Sequence, residues 1–214
     1  MKNNQKKAIK WVIGILFFIL MIFIGMLVVE NLGKNSNVYV YNGPGGEYIF
    51  NIDDTGGVVN HVLRVYVNDN EYYYAFRYGP RELENVSVSG DVKQILNSKT
   101  LYISQDPNLP IETSSKSSLA VMELNRITGE SYYSIYQTPT ITAVSRATNR
   151  STELELPEKT CDNLVDGEGV ILIERAEKTK VIAESDNCVI IQGINGDEIL
   201  RSADTLAYKW LGVL

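Results

Sequence analysis

The sequence predicts a mixed α+β domain, part α/β in character, carried behind a single N-terminal transmembrane helix. Three observations predict it. Residues 11–29 (WVIGILFFILMIFIGMLVV) form one uncharged apolar run. The chain after it alternates short β-rich runs with helical stretches. The last of those stretches carries a cap signal at each end and a single apolar stripe.

The apolar run is long enough to cross a bilayer core of about 30 Å at 1.5 Å per helical residue. A spanning segment must be helical, because lipid offers its backbone no partners. Lys2, Lys6, Lys7 and Lys10 precede the run, whereas Lys34 is the one lysine close behind it. That asymmetry predicts a cytoplasmic tail over 1–10, a span over 11–29 and a far-side C-terminus at the cell membrane. A cleaved signal peptide is the rival reading. The run is longer than an ordinary signal core, and GMLVVENLGKN offers no small-x-small cleavage site. No GxxxG pair marks a dimerising face.

Residues 30–37 read as a short polar linker, and 38–214 as one exported domain with a sheet, a βαβ unit and a C-terminal amphipathic helix. Strands are predicted over Val38–Tyr41, over Glu47–Ile52 after a GPGG turn, and over Val62–Val67 and Tyr72–Tyr78. The last two flank the polar turn Asn68-Asp69-Asn70-Glu71 as a hairpin. A short helix is expected over Asp91–Leu96 and a strand over Leu101–Ser104. Ser114, Ser115 and Ser117 offer caps for a helix over Ser118–Thr128, with Gly129 beyond its end. Thr140–Val144 then completes the βαβ unit. Ser145–Thr160 is polar and reads as an exposed loop. Strands over Val170–Glu174, Lys180–Glu184 and Cys188–Gln192 lead into a helix over Asp197–Leu211. Asn195 and Glu198 cap its start, Gly212 ends it, and Ile199, Ala203, Leu206, Ala207, Trp210 and Leu211 line one side.

Composition narrows the function classes. The 214-residue chain has a formal net charge of −6. With the four leading lysines and Glu30 set aside, the rest carries 16 basic and 25 acidic side chains, a net of −9. Such a domain gains nothing from counterion release on nucleic acid and is repelled by anionic head groups. No cofactor motif is present. The bilayer is the partner of the N-terminal run, and the oligomeric state is left open.

Few residues suggest chemistry. Cys161 and Cys188 are the two cysteines, both in the exported part, where a disulfide is the common fate and two separate buried thiols the alternative. His61 is the one histidine, in a stretch without GxSxG or HExxH, and a structural role is its ordinary account. Ser114–Ser118 around Lys116 invites a serine–lysine reading, against a solvated helix cap. Asp53-Asp54 and Asp166/Glu168 could contribute to a calcium site but resemble no EF-hand loop. Asn85 and Asn149 stand in N-glycosylation tripeptides. Thirteen tyrosines against five phenylalanines single out Tyr66, Tyr72, Tyr73, Tyr74 and Tyr78 as a binding patch for a sugar or a protein, or as alternating core residues of a hairpin.

Several stretches have a familiar look. The lysine-flanked anchor, FRYGPRELENV at 76–86, LYISQDPN at 101–108, TCDNL at 160–164, NCVIIQG at 187–193 and EILRSADTLAYKWLGV at 198–213 resemble uncharacterised single-pass membrane proteins of archaeal genomes. The resemblance covers most of the chain. It implies an archaeal cell-surface protein and pairing of Cys161 with Cys188, and it carries over no activity. The expected role is a non-enzymatic, membrane-anchored binding or envelope-assembly module with an envelope protein or glycan as partner. The alternatives are a membrane-tethered hydrolase and a scaffold subunit of a membrane complex.

The lysine asymmetry generates a topology prediction. Protease added to intact cells should digest the chain beyond Asn31, and complete protection of that part in protease-accessible cells reverses the orientation.

Overall fold

The computed structural model describes residues 11, 15–26 and 37–214. The chain divides into two compact units, Met1–Val38 and Tyr39–Leu214. In the first, residues 15–26 are helical (α1) with their side chains exposed. The predicted tail 1–10, residues 12–14 and 27–29 of the predicted span and nearly all of the linker lie outside the described residues. Among the described residues no helix is long and apolar enough to cross a membrane.

The second unit is mixed α and β, with two sheets where the sequence predicts one. The smaller has the order β1(Val38–Gly43), β2(Gly46–Thr55), β3(Val58–Val67), β4(Asn70–Phe76). The larger follows the order β5-β9-β10-β8-β6-β7, built from β5(Ser87–Ser89), β6(Thr100–Gln105), β7(Thr140–Val144), β8(Glu168–Arg175), β9(Lys180–Ser185) and β10(Cys188–Gly193). Strands β10, β8, β6 and β7 are mutually parallel, while β9 runs antiparallel to β10 and parallel to β5. Strands β6 and β7 are adjacent and joined through a helix, as a βαβ unit requires.

Between the sheets lie α3(Ile111–Thr128) and α5(Gly196–Leu211), packed on one another. Two short helices, α2(Pro80–Leu83) and α4(Asn149–Glu153), occupy connections. The predicted helix at 91–96 is a 3-10 turn over Gln94–Asn97. Helix α3 starts seven residues before the predicted Ser118, directly after Pro110. Its serines sit inside the first turns: Ser115 Oγ donates back to the Glu112 carbonyl (2.9 Å) and buried Ser117 Oγ to Gln105 (2.9 Å). That back-bonding lets serines occupy helical positions instead of caps. Met122 is 62% exposed, so α3 keeps one wet face.

Helix α5 is buried far beyond its predicted stripe. Leu200, Ser202, Asp204, Thr205 and Tyr208 are buried along with Ile199, Ala203, Leu206, Ala207 and Trp210. One side meets Val189 and Ile191 of the large sheet. The other carries Tyr208, whose ring packs against Phe76 (4.4 Å) and Phe50 (5.8 Å) of the small one. The polar groups on this helix are spent internally: Ser202 Oγ on the Gln192 carbonyl, Thr205 Oγ1 on the Arg201 carbonyl, Tyr208 Oη on the Tyr78 carbonyl. The Asn195 side chain accepts from the Glu198 N–H at 3.0 Å, and Gly212, with φ 77°, closes the C-terminus in the left-handed conformation. The Gly212 carbonyl then accepts from Gly45 N–H (2.9 Å), and a Cβ on Gly43 or Gly45 would collide with the backbone of Val213 or Gly212. The GPGG turn therefore seats the end of α5.

Between α3 and α5 two acids meet. Asp204 is fully buried and Glu123 is 9% exposed; the two carboxyls face one another closely enough to interact, and Asp204 Oδ1 and Glu123 Oε2 are buried without another hydrogen-bond partner among the described residues. Asp204 also accepts the Tyr78 N–H at 3.0 Å. Burial pushes both carboxyls up, and the facing Glu123 pushes Asp204 further; Arg77 and Arg126 act on Glu123 in the opposite sense. One proton shared by the pair explains how two carboxyls occupy one dry site. In the unfolded chain both ionise at about pH 4. Their contribution to stability is therefore whole below that range and is lost as pH rises through their elevated values. Asp204→Asn keeps an oxygen for Tyr78 and removes one ionisation. Urea denaturation of the full chain in detergent should show a flatter pH dependence for the variant and a relative gain on the neutral side; parallel curves count against the shared proton.

Candidate functional site

The small sheet has one face on α3 and α5 and one face outward. Alternation along β3 and β4 divides the tyrosines. Tyr74 is buried and Tyr72 half-buried on the inner face, stacked with ring centroids 6.4 Å apart. Tyr66 and Tyr73 stand outward, 60% and 52% exposed. There Arg64 lies over both rings (5.0 and 6.0 Å), pairs with Glu71, and Glu71 accepts from Tyr66 Oη (2.8 Å). Tyr78 lies beyond the strand under the Arg201 guanidinium. The five tyrosines are thus not brought into one surface.

Two other tyrosines complete a groove. Past the end of α3, residues 129–137 fold into a loop bonded to itself: Gln137 Nε2 donates to the Ser131 and Ser134 carbonyls (2.7 Å each), and Ile135 and Tyr136 N–H to the Ile127 carbonyl. Tyr136 Oη donates to the Trp210 carbonyl at 2.9 Å and fixes the loop to α5. Burial raises the Tyr136 hydroxyl to about 12, and likewise that of Tyr74, which donates to the Tyr133 carbonyl at 2.8 Å. The loop holds Tyr132 and Tyr133 in solvent, 87% and 76% exposed. Between it and β4 runs a groove of about 640 Å³ lined by Tyr72, Tyr73, Tyr74 and Tyr133 with Asn125, Arg126 and Glu130 among its polar groups. It continues past Tyr72 and Tyr133 into a second hollow of about 420 Å³ bounded by Asn70, Tyr132 and Gln137. Aromatic walls with a few planar polar groups at this volume match a ligand site. Tyr132 and Tyr133 escaped the sequence reading because they sit in an irregular loop, although the SYYSIY run at 131–136 was the available signal.

The remaining candidates lie elsewhere. His61 is half-buried: Tyr39 Oη is 2.9 Å from its Nδ1 and Glu82 is 3.3 Å from its Nε2. Burial lowers its pKa, partly opposed by Glu82. It joins β1, β3 and α2. Lys116 is 45% exposed and pairs with Asp197 at 2.9 Å, while the neighbouring buried Ser117 donates to Gln105. Asp53 accepts from Thr55 Oγ1 (2.6 Å). Glu168 is occupied by Lys159, Tyr102 and the Val165 N–H, and the Lys159 bond in particular holds its pKa low. Both sequon asparagines are exposed, Asn85 under Arg201 and Asn149 at the start of α4.

Cys161 and Cys188 meet at disulfide distance, their Cα atoms 5.5 Å apart and 27 residues apart in sequence. Among the described residues the one converging trio of metal-capable groups is Cys161, Glu184 and Cys188, and the disulfide occupies both thiols. The bond pins the segment from β7 to β8 onto the outer face of the large sheet. Ser104 Oγ donates to the Lys159 carbonyl (2.7 Å), and the Lys159 ammonium lies 4.7 Å from the Tyr102 ring centre.

No family model matches the chain, and no curated protein or solved structure matches it either.

Replacing both cysteines by serine should lower stability by about 3–4 kcal/mol, the loop-closure value for a separation of 27 residues. Hydrogen exchange should quicken in 145–167 and leave β1–β4 unchanged; an unaltered denaturation midpoint would show the bond to be thermodynamically idle.

Proposed function

We propose that the protein is a membrane-anchored, non-enzymatic binding module at the cell surface, and that the tyrosine-lined groove between β4 and residues 129–137 is where it binds. The observation that carries this reading is the groove itself: a hollow of about 640 Å³ with aromatic walls, held open by a self-bonded loop fixed to α5. Tyrosine rings on rigid supports give large contact area at little entropic cost, as binding surfaces require. The partner is an envelope protein or glycan of the same surface. The anchor is the apolar run at 11–29. What supports it is its lack of charge, the lysines before it and the exposed, apolar side chains of α1. An enzyme reading finds less support. Among the described residues the buried Glu123–Asp204 pair lines none of the hollows described for the folded unit, and Lys116 is engaged in an exposed ion pair.

A photo-cross-linking residue placed at Tyr133 in the full chain, in its own membrane, should yield a discrete adduct. The same residue at Leu154, exposed on α4's C-terminal side, should not. Adducts at Leu154 and none at Tyr133 would move the binding surface away from the groove.

A further inference from the structure

The turn between β3 and β4 fixes which backbone groups of β4 are paired. Asn68 and Asp69 both have left-handed φ, 51° and 63°, so the hairpin closes through a two-residue turn on the pair Val67–Asn70. In such a hairpin the closing pair exchanges both backbone hydrogen bonds, and the pattern then alternates. The ladder pairs are therefore Val67–Asn70, Val65–Tyr72, Leu63–Tyr74 and His61–Phe76. Glu71, Tyr73 and Ala75 aim their N–H and C=O groups the other way. β4 ends the strand order of its sheet, so that way is the open edge.

Of the other three sheet edges, one is covered, one is short and one carries a cationic side chain on its backbone. Residues 157–159 run along β7, with Val144 N–H on the Pro157 carbonyl (3.0 Å) and Lys159 N–H on the Val144 carbonyl (2.9 Å). β5 has three residues. On β1 the Arg81 guanidinium from α2 donates to the Val40 carbonyl at 3.2 Å. β4 has seven residues, NEYYYAF, with no lysine, proline or bulge, the usual devices that blunt an edge. The wall opposite is residues 129–137, whose backbone bonds to itself and to the end of α3 and which reaches β4 through the Tyr74 hydroxyl. The groove is thus a slot with hydrogen-bonding groups along one side and tyrosines on the other. Two acids, Glu71 and Glu130, and one base, Arg126, line it, and Arg64 at its rim pairs with Glu71, so the lining itself is close to charge balance. The exported part as a whole carries a net −9.

We infer that the open edge of β4 takes up an extended, basic segment of a partner polypeptide as an added strand, seated between Glu71–Ala75 and the 129–137 loop. This rests on the groove being the binding site and names its ligand class. Main-chain bonds to Glu71, Tyr73 and Ala75 supply the register, Tyr72 and Tyr133 receive alternate side chains, and the net negative charge of the domain favours lysine or arginine in the segment.

The test uses the full chain in lipid nanodiscs and a pool of random linear peptides of about eight residues, the length of a strand. Selected peptides should be rich in lysine, arginine and β-branched residues. They should slow amide exchange at Tyr73 and Ala75 by on the order of tenfold. Copies N-methylated at the alternate amides that face β4 should lose binding. Tyr73→Pro removes an outward N–H without touching the ladder to β3 and should abolish binding that Tyr73→Ala only weakens. The N-methylated peptides keep the test decisive if that variant misfolds. Selection of no peptide, or equal binding of the N-methylated copies, overturns strand addition. Peptides that cross-link to Tyr133 yet leave Tyr73 and Ala75 exchange unchanged overturn it while the groove stands; peptides that cross-link only elsewhere remove the groove as well. Slow exchange at these amides without peptide, rising with protein concentration alongside dimer in light scattering, makes the occupant a second copy of the chain and refutes the peptide.

Discussion

Everything in the folded unit depends on α5 being buried on both sides. A helix covered on one side needs one apolar stripe; a helix between two sheets must satisfy each polar group it carries. Ser202, Thr205 and Tyr208 do so through carbonyls; Asp204 Oδ2 accepts from Tyr78 N–H, and its Oδ1 is left facing Glu123. Tyr208 is the hinge pin of the arrangement. Its ring belongs to the core of the small sheet, while its hydroxyl fixes the chain just past β4. The position of β4, and so of its open edge, follows from this one helix.

The acid pair shows how such a centre tolerates charge-bearing residues. Two carboxylates in one dry site would repel strongly, whereas a carboxyl–carboxylate pair is held together by the proton between them. The Tyr78 N–H adds a donor from the small sheet's end of the chain. Three elements that are distant in sequence are thereby joined at a single polar point, and its register is specified more tightly than aliphatic packing would achieve.

The parts of the structure that were readable from sequence are local. The Asn195 cap, Gly212, the β3–β4 hairpin and the β6–α3–β7 unit each announce themselves through spacing over a few residues. The layering does not. Nothing between Phe76 and Ser87 says that the sheet stops and another begins, because that break is a matter of edge pairing between distant strands. The serine run at 114–118 misled the helix start, since back-bonded hydroxyls make serine compatible with a first turn. The tyrosine hairpin was read as one candidate patch, with alternation as the rival account. Period-two geometry sends Tyr72 and Tyr74 inward and Tyr66 and Tyr73 outward, and the groove's outer wall comes from Tyr132 and Tyr133, about 60 residues on. Glu123 and Asp204 were invisible as a pair for the same reason: only the packing of α3 on α5 brings them together.

The position of α5 at the end of the element order has a further consequence for biogenesis. Phe50, Leu63 and Phe76 lie on β2, β3 and β4, which emerge early, while the helix that covers them comes last; 126 residues separate Tyr78 from Asp204. During synthesis the small sheet therefore presents one apolar aromatic face, and β4 one unpaired margin, until α5 has been made. That exposure follows from the order of the elements and not from the stability of the finished fold.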